Sequence, residues 1–442
     1  MRFRRIMTAL LPAGAASALL VLPLGTSAGA SAGPGAAGHV SPAVSHPLAY
    51  QYVGKAGTGT AAGFQFSCQQ PGAALNCYTP QELATAYSIP AKLTGAGQTI
   101  VIIDAFGDPT IAADLATEDS TFGLPAANLS ILYPDGQPAF DPANADELSW
   151  SGEIALDLAS SHAIAPAAKI DLVIAKSDND SDILSALKYV VANHLGTVLS
   201  QSYGEAEACE DPSVEQADHV LFQQAEADGL TVFASSGDNG AAQYSCDGTS
   251  YLKAVSLPAS DPLVTGVGAT SLTASQPQGN YQSETAWNDA YGSSGGGYSA
   301  LFTRPAFQDG AVSSAMRGVP DVAYSGDVNN GLLVAWSGGV AANEGTFYLF
   351  GGTSAGSPQW AAITALAAQQ DGKKLGDINA ALYSLAKDGG VYHDTTAGDN
   401  TVSETAADGS TLNIAGYSAV KGWDPVTGLG TPNVAQLLKY LK

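Results

Sequence analysis

Basic residues are scarce in this 442-residue chain: 17 Lys and Arg stand against 41 Asp and Glu, a formal net charge of −24. Three of those cations, Arg2, Arg4 and Arg5, sit at the very start. A surface this acidic repels a phosphate backbone, which argues against nucleic acid as a partner. The charge itself suits either plain solubility or life in acid, where many carboxylates become neutral, and it does not choose between them. Cysteine is rarer still, with four residues and no CxxC pair, so disulfides are expected in place of thiolate metal sites. Cys68 with Cys77 would close a short loop and Cys209 with Cys246 a longer one, among three possible pairings. Long apolar runs are also missing after the N-terminus; none approaches the roughly 20 residues that cross a bilayer. The mature chain is therefore expected to be soluble, with no membrane partner.

The first 32 residues do carry an apolar run, from about Ala9 to Leu24, preceded by the three arginines and followed by TSAGASAG. That pattern reads as a secretory signal peptide, so the protein is expected to be extracellular. From 33 to about 63 the chain is rich in Gly, Ala, Ser and Pro without periodicity, which makes 33–76 a short pro-segment or linker and 77–442 the folded domain. Within that domain short β-branched runs recur: TIVIIDAF (99–106), KIDLVIA (169–175), TVLSQSYG (197–204), TVFASSGD (231–238) and LVTGVGA (263–269). They are apolar throughout, as strands buried on both faces are. Helical patterns over 181–194, 213–228 and 354–370 separate or follow them. Strand alternating with helix predicts an α/β fold, with a central, mostly parallel sheet flanked by helices and a site at the carboxyl ends of its strands.

Three of those ends carry chemistry. In GGTSAGSPQW (351–360) Ser354 lies where a tight glycine turn runs into a helix, which exposes a hydroxyl for acyl transfer. The same residues also make an ordinary capped helix start. A serine hydroxyl needs a base to take its proton. Glu153 and Asp157 in SGEIALDLASSHAIAP are four apart, on one face of a helix, among apolar neighbours, although an acidic pair can also simply face solvent. Asp238 sits in SSGDNG, a sequence that also suits a plain turn.

In chain order, GEIALD, SQSYGEAE, ASSGDNG, GGTSAGSP and GWDPVTGLGTP resemble the sedolisins, or serine-carboxyl peptidases, and CYTPQELATAYSI extends the similarity back to Cys77. The resemblance implies a subtilisin-like three-layer fold. It implies Ser354 as nucleophile, Glu153 as general base and later acid, Asp157 as the residue that orients Glu153, and Asp238 in the oxyanion hole with the Ser354 amide as a second donor. A carboxylate of pKa near 4 accepts a proton at pH 3–5, where histidine is already charged, so acid operation follows. Asp238 facing an oxyanion must carry its own proton. The resemblance also implies one structural Ca²⁺, held by the carboxylates of Asp394 and Asp424 and the carbonyls of Thr395, Val420 and Gly422; hard oxygen donors suit that ion. Asp residues in polar turns are the plain alternative. SYG at 202–204 and SGGGYS at 294–299 resemble strips that pair with an extended peptide.

The function expected is therefore that of a secreted, monomeric serine-type endopeptidase acting on polypeptides. Two other readings stand beside it: a non-catalytic peptide-binding protein of the same fold, and a subtilisin-type Asp/His/Ser protease with Asp104 as its aspartate, for which no HGTH-like segment exists, His162 being expected as a surface or cap histidine. Sedolisins also carry a long folded propeptide, whereas about 45 residues separate the leader from Cys77 here.

Overall fold

The computed structural model describes residues 49–57, 65–70, 73, 75–387 and 389–442. The expected leader and the start of the 33–76 segment lie outside the described residues. In chain order the elements that build the site are β1 (Tyr50–Lys55), β2 (Asn76–Tyr78), β3 (Thr99–Ala105), α1 (Ile111–Phe122), β4 (Asn128–Leu132) and α2 (Ala145–Ile164). Next come β5 (Lys169–Ala175), α3 (Asp180–Ala192), β6 (Val198–Gln201), α4 (Pro212–Ala227), β7 (Thr231–Ser235), β8 (Thr265–Ala274), β9 (Tyr281–Ala286) and β10 (Val322–Ser325). They are followed by β11 (Asn330–Ala335), β12 (Thr346–Phe350) and α5 (Thr353–Asp371).

The central sheet has eight strands in the order β9-β8-β7-β6-β3-β5-β4, with β10 paired to β8. All neighbours are parallel except β8 and β9. Alternate residues of β3 show why its sequence is apolar throughout. Ile100 and Ile102 point into a core shared with Ile154, Leu158 and Ile363 of α2 and α5, while Val101 and Ile103 point into one shared with Ile183, Leu187 and Phe222 of α3 and α4. Two apolar layers on one sheet make the three-layer α/β fold expected from the sequence. Each expected strand and helix is present, with β6 stopping before SYG and β7 ending on the first serine of SSGD, so that Tyr203 and Asp238 both lie past the strand ends.

A second sheet, β1-β12-β11-β2, flanks the first. Within the segment expected to be a pro-segment or linker, residues 50–55 form an edge strand of this sheet, and the disulfide Cys68–Cys77 ties the next segment to β2. The second disulfide joins Cys209 to Cys246. In YQYV the tyrosines alternate with Gln51 and Val53, a strand pattern masked by the surrounding small residues. Buried carboxylates lock this sheet to the main body, since Glu118 of α1 accepts from the Ala335 amide at 2.7 Å and Asp114 from the Ser337 amide at 3.0 Å.

Candidate active site

The turn that presents Ser354 is held amide by amide. The Gly351 N–H donates to the Ala49 carbonyl (3.3 Å), the Gly352 N–H to the Gly326 carbonyl (2.7 Å), and the Thr353 N–H to Asp238 Oδ1 (2.7 Å). Gly352 has φ +91°, and a Cβ there would lie 2.3 Å from Asp238 Oδ2, so only glycine fits. Pro358 lies inside α5 and has no N–H to give the carbonyl four residues back, which is that of Ser354. The Ser202 hydroxyl, arriving from the end of β6, approaches that carbonyl at 3.4 Å. Ser354 is buried but borders the small cavity beside Asp238.

Glu153 and Asp157 are both fully buried, which removes the solvent-facing alternative. Helix α2 is packed against α5 along small residues; the Ser161 hydroxyl reaches the Pro358 carbonyl at 3.5 Å. Ser354 and Asp157 both neighbour the Glu153 carboxyl closely enough to lower its pKa. Burial raises both carboxyls of the pair, and the charges of Asp104 and Glu153 raise Asp157 further. Asp157 Oδ1 accepts from the Ser202 hydroxyl at 2.9 Å. A third carboxyl, Asp104 at the end of β3, is fully buried, neither oxygen has a hydrogen-bond partner among the described residues, and burial pushes it up to about 8. Its charge disfavours ionisation of both others. An ordinary pKa near 4, as expected from the sequence, therefore does not hold for Glu153. Burial lifts it well above that range, and the three carboxyls share protons as a set.

Asp238 approaches from the end of β7. Its Oδ1 accepts from the Thr353 amide and hydroxyl, each at 2.7 Å, while the Thr353 hydroxyl accepts from the Gly237 amide at 3.0 Å. Burial raises Asp238 to about 6 against the opposing effect of the Thr353 bonds, which leaves it protonated in acid. Between Asp238 and Ser354 lies a small cavity of about 10 Å³, lined by Ser202, Gly204, Gly237 and Gln243 among others. The Ser354 amide is in the first turn of α5, where helix geometry gives it no backbone acceptor. SYG thus borders the nucleophile, whereas the glycines at 295–296 pack behind the Asp238 turn, where a Cβ on Gly295 would lie 2.2 Å from the Ser236 carbonyl.

No described histidine stands near Ser354. His162, expected at the surface or capping the helix, is fully buried, with Nε2 at 2.9 Å from both Asp119 Oδ1 and the Pro125 carbonyl. His194 pairs with Asp228, His219 with Asp261, and His393 stacks on Tyr281. Thr353, Ser202 and Asp104 are the site residues that the sequence did not single out for these roles. Thr353 abuts the nucleophile and was the one within reach of sequence reasoning; the others depend on tertiary neighbours.

Near the C-terminus, Asp394 and Asp424 flank the 420–424 loop. The Gly422 amide donates to Asp394 Oδ2 (3.0 Å) and the Val420 amide to Asp424 Oδ2 (3.1 Å). Asp424 is buried, and the buried Thr395 hydroxyl has no partner among the described residues. All the donors are oxygens, a set that fits a hard divalent cation. Among the described residues no three His, Cys, Asp or Glu side chains converge as a metal site, so an ion here would rely on two carboxylates plus carbonyls.

No family model matches the chain. Kumamolisin of Bacillus sp. (strain MN-32) is 36% identical over 394 residues, covering 85% of this chain and 66% of that protein. Sedolisin of Pseudomonas sp. (strain 101) is 30% identical over 387 residues, covering 83% of this chain and 61% of that protein. The chain thus spans about two thirds of the length of these relatives. The solved structure of Pseudomonas sedolisin, a serine-carboxyl proteinase complexed with two molecules of pseudo-iodotyrostatin, aligns at a TM-score of 0.70 and 29% identity over 83% of this chain and 98% of that one. Its sequence motifs, its fold and these relatives agree: the chain belongs to the sedolisin family.

Proposed function

We propose that the protein is a secreted, monomeric serine-carboxyl endopeptidase that hydrolyses polypeptides in acid through an acyl-enzyme on Ser354. The observation that carries this reading is a serine at a glycine turn placed beside a buried carboxyl pair, opposite an aspartic acid whose pKa burial raises. In the first half-reaction Ser354 Oγ attacks the scissile carbonyl and its proton passes to the ionised form of Glu153, whose raised pKa limits that form in acid. The oxyanion of the tetrahedral intermediate takes a hydrogen bond from the Asp238 carboxylic acid and one from the Ser354 amide. Glu153 then returns the proton to the leaving amine, and the C–N bond breaks. Water repeats the sequence on the ester, again giving its proton to Glu153. Asp157 keeps its own proton and holds Glu153 in line. Disulfides and the absence of any membrane-crossing helix among the described residues support an extracellular setting.

A casein digest followed from pH 3 to 8 tests the reading. Cleavage is expected to peak in weak acid and to fall above about 6, where Asp238 loses its proton. A maximum at neutral or alkaline pH would favour a histidine mechanism, and retained peptide binding without cleavage at any pH would favour the binding protein.

Asp394 and Asp424 would hold a calcium ion whose charge screens the two carboxylates and pins the 420–424 loop. At a hundredfold excess over Kd such an ion stabilises by about 2.7 kcal/mol. Chelation is accordingly expected to lower Tm by several degrees, and Asp394→Ala to make the melt insensitive to calcium. A wild-type melt that EDTA leaves unchanged counts against the ion.

A further inference from the structure

Strand β1 begins beside the nucleophile turn. It pairs antiparallel with β12, from Lys55 opposite Thr346 to Tyr50 opposite Phe350, and one residue earlier Ala49 receives the Gly351 amide. Of the three consecutive amides that fix the turn, the first is held by this segment. Without it β12 would be a bare edge, and Gly351 would lose its acceptor. Side chains secure the pairing at both ends. Tyr50 packs on Phe350 (ring centroids 5.7 Å apart) and edge-on to Trp336 (5.1 Å), and Gln51 Nε2 donates to Asn329 Oδ1 at 3.0 Å. Lys55 Nζ donates to the Glu344 carbonyl at 3.0 Å. Trp336 in turn donates through Nε1 to Ser151 of α2 at 3.1 Å, two residues from Glu153. One aromatic cluster therefore touches the strand leading to the nucleophile and the helix carrying the base.

We propose that residues 49–57 are a permanent strap of the working enzyme, a positioning element for Ser354, and not a pro-segment shed on maturation. The inference rests on Ser354 being the nucleophile. A strap predicts that the active form retains these residues and that losing them lowers kcat far more than it raises KM, because the turn is displaced while the cleft walls stay in place. A removable pro-segment predicts the reverse: its loss activates, and added peptide inhibits.

The test deletes residues 49–57 from the full chain, compares Tyr50→Ala, and identifies the N-terminus of active wild-type enzyme by mass spectrometry. For the deletion, kcat is expected to fall at least about tenfold, a modest share of the roughly hundredfold cost of a 1 Å displacement, with KM within about twofold. A synthetic peptide of residues 49–57 should restore activity. Should the deletion not fold, Tyr50→Ala decides, with an expected severalfold loss in kcat at unchanged KM. Active enzyme that begins beyond residue 57, undiminished kcat in both variants, or inhibition by the peptide would overturn the strap. Wild-type cleavage that Ser354→Ala abolishes leaves the peptidase reading standing in each of those cases, whereas wild type without cleavage defeats that reading first.

Discussion

Ser354→Ala is expected to remove measurable hydrolysis, and Glu153→Gln to cut kcat by at least about 10³-fold while KM moves little, since neither group contributes uniform binding. Glutamine keeps the shape of Glu153, but it cannot take the proton of the Ser354 hydroxyl. Its effect therefore isolates proton transfer from packing. The substitution also has a sign in stability. Burial is the dominant influence on Glu153, and a neutral amide does not carry the desolvation cost of a carboxylate. Glu153→Gln is thus expected to melt at or above the wild-type temperature at pH 7 while being nearly inactive, the trade found where a site is strained for function. Retention of more than about a tenth of wild-type kcat by either variant sinks the mechanism. Asp238→Asn separates the other half of the site: it still donates a hydrogen bond but no longer titrates, so the decline in activity above about 6 is expected to disappear.

The elements that could be read from the sequence are those whose own residues declare their surroundings. β3 and β5 carry apolar residues on both faces, broken mainly by Asp104 and Asp171, so burial on both faces and a parallel sheet follow from the run itself. Glu153 and Asp157 could be placed on one helical face because the spacing of four is local. What could not be read depends on partners far along the chain. β1 lies more than 290 residues from its partner β12, and nothing local marks it except two alternating tyrosines. Thr353 and Ser202 acquire their roles from Asp238 and Asp157, each more than 40 residues away. The raised pKa of Glu153 was out of reach for the same reason: a carboxylate near 4 is the solvated value, and desolvation plus the charges of Asp104 and Asp238 exist only in the fold. His162 shows the opposite error, since a histidine late in a helix suggests a surface cap until the Asp119 carboxylate and the Pro125 carbonyl close over it.

The fold itself is expected to lose stability on going from weak acid to neutral pH, by on the order of 10 °C in Tm between pH 5 and 8. The groups responsible lie away from the catalytic carboxyls, around a small cavity between α3, α4 and the end of β6, where Asp180, Glu205, Glu210 and Asp218 meet. Burial is the first cause of every shift: Asp180 rises to about 6, Asp218 to about 7, Glu205 to about 8 and Glu210 to about 9. Glu210 and Asp218 repel each other, Asp261, Asp211, Asp178 and Glu215 add repulsion, and Lys188 opposes it at Asp218. A carboxyl whose folded pKa exceeds its unfolded value of about 4 holds more protons folded than unfolded in between. Its stabilisation is complete below about 4 and drains away as pH climbs through 6 to 9. A one-unit difference is worth about 1.4 kcal/mol, less where water reaches Glu210, and each kcal/mol moves Tm by roughly 2–4 °C in a mid-sized domain. Growing net negative charge acts in the same direction. Thermal melts at pH 4, 5, 7 and 8 check the slope, and Glu205→Gln with Glu210→Gln is expected to flatten it and raise Tm at pH 8. A wild-type melt that is level from pH 4 to 8 would mean that these carboxyls titrate as if in water, and the cluster would then place no acid requirement on the fold.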